Sequence, residues 1–460
     1  MAATAAVVLA AGKGTRFKSD LAKVLHRVGG RSLLHHVLAS LEPVGFDQTI
    51  VVIGHQAGDV RAEVDAIGAA VDLVVQEEQL GTGHAAEVAL AALRADIERV
   101  VVLPGDSPLL LPSTLEALLA DPADVVMLMT ELDDPSGYVR VVRRGDTVAR
   151  IVEHKDASHD ELAIREVNAG MYRFPVDGLA DVLASIGTEN VQGERYLTDA
   201  IAVFLDRGAS VTALTAPSEE VAGVNDRAQL AAAGAVLRQR ILRRHLVDGV
   251  TIVDPTTTWI EADVTIGSDA TILPNTHLEG ATAVAEGASV GPNCRLVDTT
   301  VGAEATVTWT VTDGAEIGAR ATVGPFTYLR PGTRLAAGAK AGGFVEMKNA
   351  TVGEGSKVPH LSYIGDATIG RDVNVGAGTI TCNYDGFDKH ETIIGDGAFI
   401  GSDTMLVAPV EIGPGAVTGA GSAIAEDVPA DALGIERTSQ ENVEGWAARR
   451  RAKHGEDSDS

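Results

Sequence analysis

Leu9-Ala10-Ala11-Gly12-Lys13-Gly14-Thr15-Arg16 places two glycines beside two cations directly after an apolar run. Glycine lets backbone N–H groups approach an oxyanion closely, and Lys13 and Arg16 add charge, so the segment reads as a cradle for phosphate. It is not a P-loop, because the GxxxxGK[ST] spacing is absent. Nor is it a dinucleotide fingerprint, because Phe17 stands where the third glycine belongs. Asp106 follows another apolar run and by itself reads as a turn residue after a strand. Asn225, before Asp226 and Arg227, reads by itself as a helix N-cap. Cys294 and Cys382 are far apart and outside any CxxC spacing, which suits reduced structural thiols rather than a disulfide or zinc framework.

The elements that must hold these residues alternate over residues 1–226. Ala5 to Leu9, Thr49 to Ile53, Leu73 to Val75, Val100 to Leu103 and Val125 to Met129 are candidate strands separated by helix-like segments. That pattern predicts an α/β domain with a largely parallel sheet. Ligands in such sheets lie beyond the carboxyl ends of the strands, so the loops after Leu9, Val75 and Leu103 are the places for a site. From Asp226 to Val247, Leu230, Ala233, Leu237, Ile241 and Leu246 recur near helical spacing and predict a connecting helix over 227–249. Arg238, Arg240, Arg243 and Arg244 are read as its solvated face.

Beyond Gly249 an apolar residue recurs every sixth position: Ile266, Ile272, Leu278, Val284, Val290, Leu296. The rhythm restarts in Ile317, Val323, Leu329, Leu335, in Val352, Val358, Ile364, and in Ile394, Ile400, Leu406, Ile412. A period of six is neither helical nor simple alternation. It fits a coil of three short strands with one inward side chain per strand, extending over residues 250–436. Residues 336–350 and 383–392 break the rhythm and are expected to project as loops. From Glu444 to Ser460 one or two helical turns precede a polar acidic end, and the tail over 437–460 is expected to be partly disordered.

The chain has 460 residues, 45% hydrophobic and 22% charged, enough for two or three cored domains. A formal net charge of −27 argues against nucleic acid or an anionic membrane as general partners. No stretch is long and apolar enough to span a bilayer. The run from Ala2 to Ala11 lacks a basic leader and fits a buried strand better than a secretory signal, and the two reduced cysteines make the expected location cytoplasmic.

Lys23-Val24-Leu25 after the glycine loop, Gln76-Glu77-Glu78-Gln79-Leu80-Gly81-Thr82-Gly83-His84, Gly105-Asp106, Val152-Glu153-His154-Lys155-Asp156, Glu166-Val167-Asn168-Ala169-Gly170 and Gly223-Val224-Asn225 form one set. Phe326 to Gly332, Phe344 to Asn349, His360 to Asp366 and Asn383-Tyr384-Asp385-Gly386 form another. Together they closely resemble the bacterial bifunctional N-acetylglucosamine-1-phosphate uridyltransferase/glucosamine-1-phosphate acetyltransferases, over nearly all of residues 5–440. The resemblance implies a Rossmann-like nucleotidyltransferase domain followed by a left-handed parallel β-helix of hexapeptide repeats. It implies acetyl transfer from acetyl-CoA to glucosamine 1-phosphate, then uridylyl transfer from UTP with release of pyrophosphate. The product, UDP-N-acetylglucosamine, is the family's precursor for peptidoglycan and lipopolysaccharide.

By that resemblance, Leu9, Ala10, Ala11, Gly12, Lys13, Arg16, Lys23, Gln76, Gln79, Gly81, Thr82, Gly105, Glu153, Asn168 and Asn225 would bind UTP and the sugar nucleotide, with Asp106 and Asn225 holding Mg²⁺. Phosphoryl transfer relies on positioning and charge neutralisation more than on a covalent nucleophile, a need that Lys13, Arg16, Lys23 and the metal would meet. Arg330, Lys348, Tyr363, Asn374, Asn383 and Tyr384 would bind glucosamine 1-phosphate. Ala377, Ser402, Ala420 and Arg437 would line the acetyl-CoA channel. His360 would be the general base, since a neutral imidazole can take a proton from the attacking amine near neutral pH. A homotrimer with sites between neighbouring coils is implied as well.

Three positions depart from the family pattern: Ala22 where proline precedes the lysine, Pro104 before Gly105-Asp106, and Val139 where Gly137-Tyr138 is followed by glycine. The competing readings are a hexose-1-phosphate nucleotidyltransferase of other specificity with a mainly structural β-helix, and an assembly scaffold with both sites degenerate. A scaffold needs none of Lys23, Asp106, Asn225, Lys348 and His360.

Overall fold

Runs of Val, Ile, Leu and Ala between turn-forming residues pair into sheets because branched side chains pack well on a pleated surface. The computed structural model describes residues 2–145, 147–190 and 193–456. It divides into two compact units, Met1–Ile241 and Leu242–Ser460.

In the first unit every candidate strand forms: β1 (Thr4–Ala10), β2 (Gln48–Ile53), β3 (Asp72–Val75), β4 (Arg99–Pro104) and β5 (Val125–Glu131). The hairpin β6 (Arg140–Arg144) and β7 (Thr147–Val152), then β8 (Glu166–Pro175) and β9 (Val211–Thr215), complete a nine-stranded sheet, seven strands in the order β9-β5-β8-β4-β1-β2-β3 with the hairpin joined through β6 to β8. β1 pairs in parallel with β2 and β4, whereas β8 runs antiparallel between β4 and β5. The helix Leu33–Leu41, capped by the Ser32 hydroxyl, buries Leu34, Val37 and Leu38 on one face of the sheet. The helix Thr82–Leu90 buries Ala85, Ala86 and Ala89 on the other.

Beside the helix Pro112–Ala120 lies Arg173, whose side chain is fully buried. Its Nη1 donates to the carbonyls of Leu118 (3.1 Å), Leu119 (3.0 Å) and Asp121 (2.7 Å), and its Nη2 to that of Ala123. It thereby closes the carbonyl end of that helix.

The long helix Arg227–Val247 packs Ala233, Leu230 and Leu237 on Phe17, Val28 and Leu33. A Cβ at Gly29 would lie 2.7 Å from Leu237 Cδ2, so this contact needs glycine. The expected apolar stripe is off at its end, where Leu242 is buried and Leu246 exposed. The arginines are not uniformly solvated either: Arg240 donates to Leu109 O (2.6 Å) and Glu219 (3.1 Å).

In the second unit two-to-seven-residue strands stack in parallel register, for example Ile272 on Val290 and Ile317 on Leu335. The sixth-position residues from Ile272 to Ile412 are buried, and Ile266 is half-buried. This is the expected parallel β-helix. The projection expected at 336–350 is absent. Ala341 and Met347, both fully buried, continue the six-residue step within the strands Lys340–Gly343 and Glu346–Val352. Residues 383–392 do leave the coil, and Phe387 is 91% exposed there. The tail forms a longer helix than expected, Trp446–Glu456, and 457–460 lie outside the described residues.

Candidate active sites

The glycine loop emerges from β1 over the carboxyl end of the sheet. Gly14 sits at φ 60°, where a Cβ would lie 2.5 Å from Lys23 Cβ, so only glycine lets the loop close on the lysine. A Cβ at Gly12 would meet nothing, leaving its backbone open to a ligand. The space beyond is a cavity of about 730 Å³. Leu9, Ala10, Ala11, Gly12, Lys13, Lys23, Gln76, Gln79, Gly81, Thr82, Asp106, Glu153, Asn168 and Asn225 line it.

Two expected residues lie outside the lining. Arg16 instead donates to Asn225 Oδ1 at 2.8 Å, and the Gly105 N–H is spent on Leu9 O at 2.9 Å. Pro104 pairs with Leu9 one step earlier, and the Gly105 N–H follows it onto β1. Ala22 takes φ −55° and ψ 138°, within the φ range to which proline is confined, so alanine here adopts a backbone that proline would also fit.

Asn225 is not an N-cap: its side chain accepts from Arg16 and Lys23, while Asp226 Oδ1 accepts the Gln229 N–H at 2.8 Å. A main-chain bond from Val224 N to Asp106 O (2.9 Å) brings the two proposed metal ligands together. The Lys23 ammonium donates to Asp106 Oδ2 and, at 3.1 Å, to Asn225 Oδ1. A cation thus already bridges these two oxygens. Among the described residues no cluster of three His, Cys, Asp or Glu could hold a metal. A two-oxygen set fits Mg²⁺, which keeps several waters and leans on substrate phosphates.

A register shift in β8 between Asn168 and Tyr172 turns the Asn168 amide into the cavity, where Nδ2 donates to Tyr172 OH and Oδ1 accepts the Gly170 N–H (3.1 Å). The Asn168 N–H holds the Val139 carbonyl at 2.9 Å, so Val139 borders the same space. Burial, and then Asp156 and Asp199, push the Glu153 carboxyl above its ordinary range. Ser107, Tyr172, Glu194 and Thr198 also line the cavity without having been expected. None has a local signature. Only Ser107, next to Asp106, could have been found from the sequence.

On the β-helix, Arg330 pairs with Glu346 at 2.8 Å. Lys348 is crowded by Lys389 and then Arg330, which hold its ammonium below the ordinary lysine value. The sequence reading missed Lys389. It sits in the expelled loop, and only folding carries it to Lys348. A Cβ at Gly365 would lie 2.5 Å from Tyr363 OH and 2.8 Å from Asn383 Nδ2, so both polar groups converge above that glycine. Asn383 also donates to Asp366 at 2.5 Å.

Asn374 lies on the adjacent strand, pairing with Lys357 and Phe399. One corner stacks the remaining residues: Gly378 N donates to His360 O, Asp403 N to Ala377 O and Gly421 N to Ser402 O, at 3.4, 2.7 and 2.8 Å. Arg437 closes the ladder on Ala420 O at 2.9 Å. His360 is exposed, and its imidazole has no partner among the described residues. Tyr384 is 61% exposed.

Residues 6–170 match the profile of the MobA-like NTP transferase domain, and 391–426 that of the bacterial transferase hexapeptide (six repeats). The chain is similar to the bifunctional protein GlmU of Streptomyces avermitilis, 51% identical over 455 residues covering 97% of this chain and 94% of that one. It is also similar to the bifunctional protein GlmU of Mycobacterium sp. strain KMS, 51% over 97% and 92% of the two chains. For that of Desulfitobacterium hafniense strain DCB-2 the figures are 49% over 96% and 98%. Similarity at this level runs through both units and both clusters of polar residues, and the chain therefore belongs to the bifunctional N-acetylglucosamine-1-phosphate uridyltransferase/glucosamine-1-phosphate acetyltransferase (GlmU) family.

Proposed function

We propose that the β-helix acetylates glucosamine 1-phosphate from acetyl-CoA and that the α/β unit then joins the product to UTP, releasing pyrophosphate. The observation that carries the reading is the convergence of Lys23, Arg16, Asp106 and Asn225 beside the open glycine loop. Gln76 and Gln79 read the uracil there, and Glu153 and Asn168 hold the sugar. Asp106 and Asn225 would hold Mg²⁺, which would supply positive charge against the phosphate oxygens. Lys13 and Lys23 orient the triphosphate so that the sugar phosphate oxygen attacks in line with departing pyrophosphate.

In the acetyl half, Arg330, Lys348 and Lys389 bind the sugar phosphate. His360 accepts the proton of the amine as nitrogen attacks the thioester carbonyl. The carbon–sulfur bond breaks and coenzyme A leaves. Because His360 and Tyr384 stand on an open face, a second coil is needed to enclose the substrates, which supports a homotrimer. A cytoplasmic location fits acetyl-CoA and UTP as substrates; among the described residues no helix is long and apolar enough to cross a membrane.

The test supplies glucosamine 1-phosphate, acetyl-CoA, UTP and Mg²⁺ and follows free thiol and pyrophosphate separately. Both should appear, and a chelator should abolish only pyrophosphate. Thiol without pyrophosphate would remove the uridylyl assignment; equal loss of both on chelation would move the metal elsewhere.

A further inference from the structure

The expelled loop leaves the coil after the strand Ile380–Cys382 and returns at Thr392–Ile394. Its two arms carry different parts of the acetyl site, Asn383 and Tyr384 on one side and Lys389 on the other. Lys389 is held next to Lys348, with Arg330 nearby. Like charges held close together repel, so a slack loop would swing Lys389 away whenever no anion lay between the cations.

The loop is not slack. Tyr384 and Lys389 form an antiparallel bridge, and His390 N donates to Asn383 O at 2.9 Å across its neck. Asp385 Oδ1 accepts the N–H groups of Phe387 and Asp388, both at 2.8 Å, which shapes the tip. The other oxygen, Oδ2, accepts from His390 Nε2 at 2.8 Å and ties one arm to the other. The same partner, followed by the two tip amides, holds the Asp385 carboxyl far below its ordinary range. Nothing else in the acetyl chemistry uses either side chain.

We propose that Asp385 and His390 form a clip that holds Lys389 in the phosphate site before the sugar phosphate arrives, making His390 a positioning residue for substrate capture. The clip rests on the reading of this face as the glucosamine 1-phosphate site. Ordering the loop in advance removes an entropic cost from binding, so the clip acts on KM and leaves the chemical step alone.

The experiment compares the full-length protein with His390→Ala, Asp385→Asn/His390→Ala and Lys389→Ala by acetyl-transfer kinetics and amide hydrogen exchange. His390→Ala should raise the KM for glucosamine 1-phosphate roughly threefold to tenfold, the scale of ordering one or two side chains, with kcat within about twofold. Exchange over 383–392 should quicken, and uridylyl transfer should not change. The double variant should raise KM no further, because the two residues act as one unit. Unchanged exchange or unchanged KM in His390→Ala overturns the clip. If Lys389→Ala still raises KM in that case, the phosphate site stands and only the clip is wrong. If neither variant alters acetyl transfer, the phosphate-site reading falls and the clip with it.

Discussion

Single residues at the nucleotidyl site decide between chemistry and packing through their immediate neighbours. Val139 has its carbonyl fixed by the Asn168 N–H and lines the same cavity, beside the residues proposed to hold the sugar. Val139→Gly should lower the KM for N-acetylglucosamine 1-phosphate by relieving that crowding; steady-state uridylyl kinetics showing an equal or higher KM would mean the loop is already adapted to valine. Glu153 gives a pH prediction. Its carboxyl is raised in the folded protein, first by burial and then by Asp156 and Asp199, so the native state keeps a proton that the unfolded chain releases. Its contribution to stability therefore falls as pH rises from the ordinary value of 4.5 toward neutrality. Glu153→Gln should be more stable than the parent near neutral pH and should flatten the dependence of the urea midpoint on pH over that window. A midpoint that instead drops at neutral pH would show that the carboxylate is compensated in the fold.

At the scale of elements, one buried cation and one glycine each hold a structure together by direct contact. Arg173 satisfies four carbonyls at the end of Pro112–Ala120. Arg173→Met keeps most of the volume but strands those acceptors, and about 3 kcal/mol or more of stability should disappear from the first unit in urea unfolding. In the coil, a Cβ at Gly342 would come 2.0 Å from Pro359 O, on the strand that ends at His360. Gly342→Ala should force those two coils apart, destabilise the second unit by about 1–3 kcal/mol and lower acetyl transfer. An unchanged thermal transition would show that the coil yields at that point without cost.

The whole molecule combines two separately cored units, each with its own polar cluster. Mutation should therefore separate the chemistries. His360→Ala should lower acetylation by about 10²–10⁴-fold, the usual scale of acid–base assistance, while uridylyl transfer from supplied N-acetylglucosamine 1-phosphate stays near the parent. Asp106→Ala should do the reverse. Both variants must keep the parent oligomer by light scattering, since collapse of a site between subunits would imitate a catalytic loss. Parental acetylation by folded His360→Ala would place the base elsewhere.

The sequence alone determined whatever is encoded in short-range patterns. The six-residue step of buried Ile, Val and Leu fixes the coil, because each strand contributes one inward side chain whatever surrounds it. The apolar runs of the first unit likewise mark five of the nine strands of its sheet to within one or two residues, but not β6 to β9. The rhythm failed at residues 336–350, where Ala341 and Met347 fill inward positions that the eye assigns to branched aliphatics. Nearest-neighbour motifs placed Gly12, Lys13, Lys23 and Asp106 beside one cavity. Tertiary structure decided what those motifs touch. Asn225 taken singly reads as a helix cap, but the fold ties Val224 to Asp106 and gives the cap to Asp226, and Lys389, which has no local signature, is set against Lys348. Thr198 and Glu194 reach the cavity across more than a hundred residues from the glycine loop. Such contacts join segments distant in the chain, and their energies depend on approach and burial, quantities that local spacing does not contain.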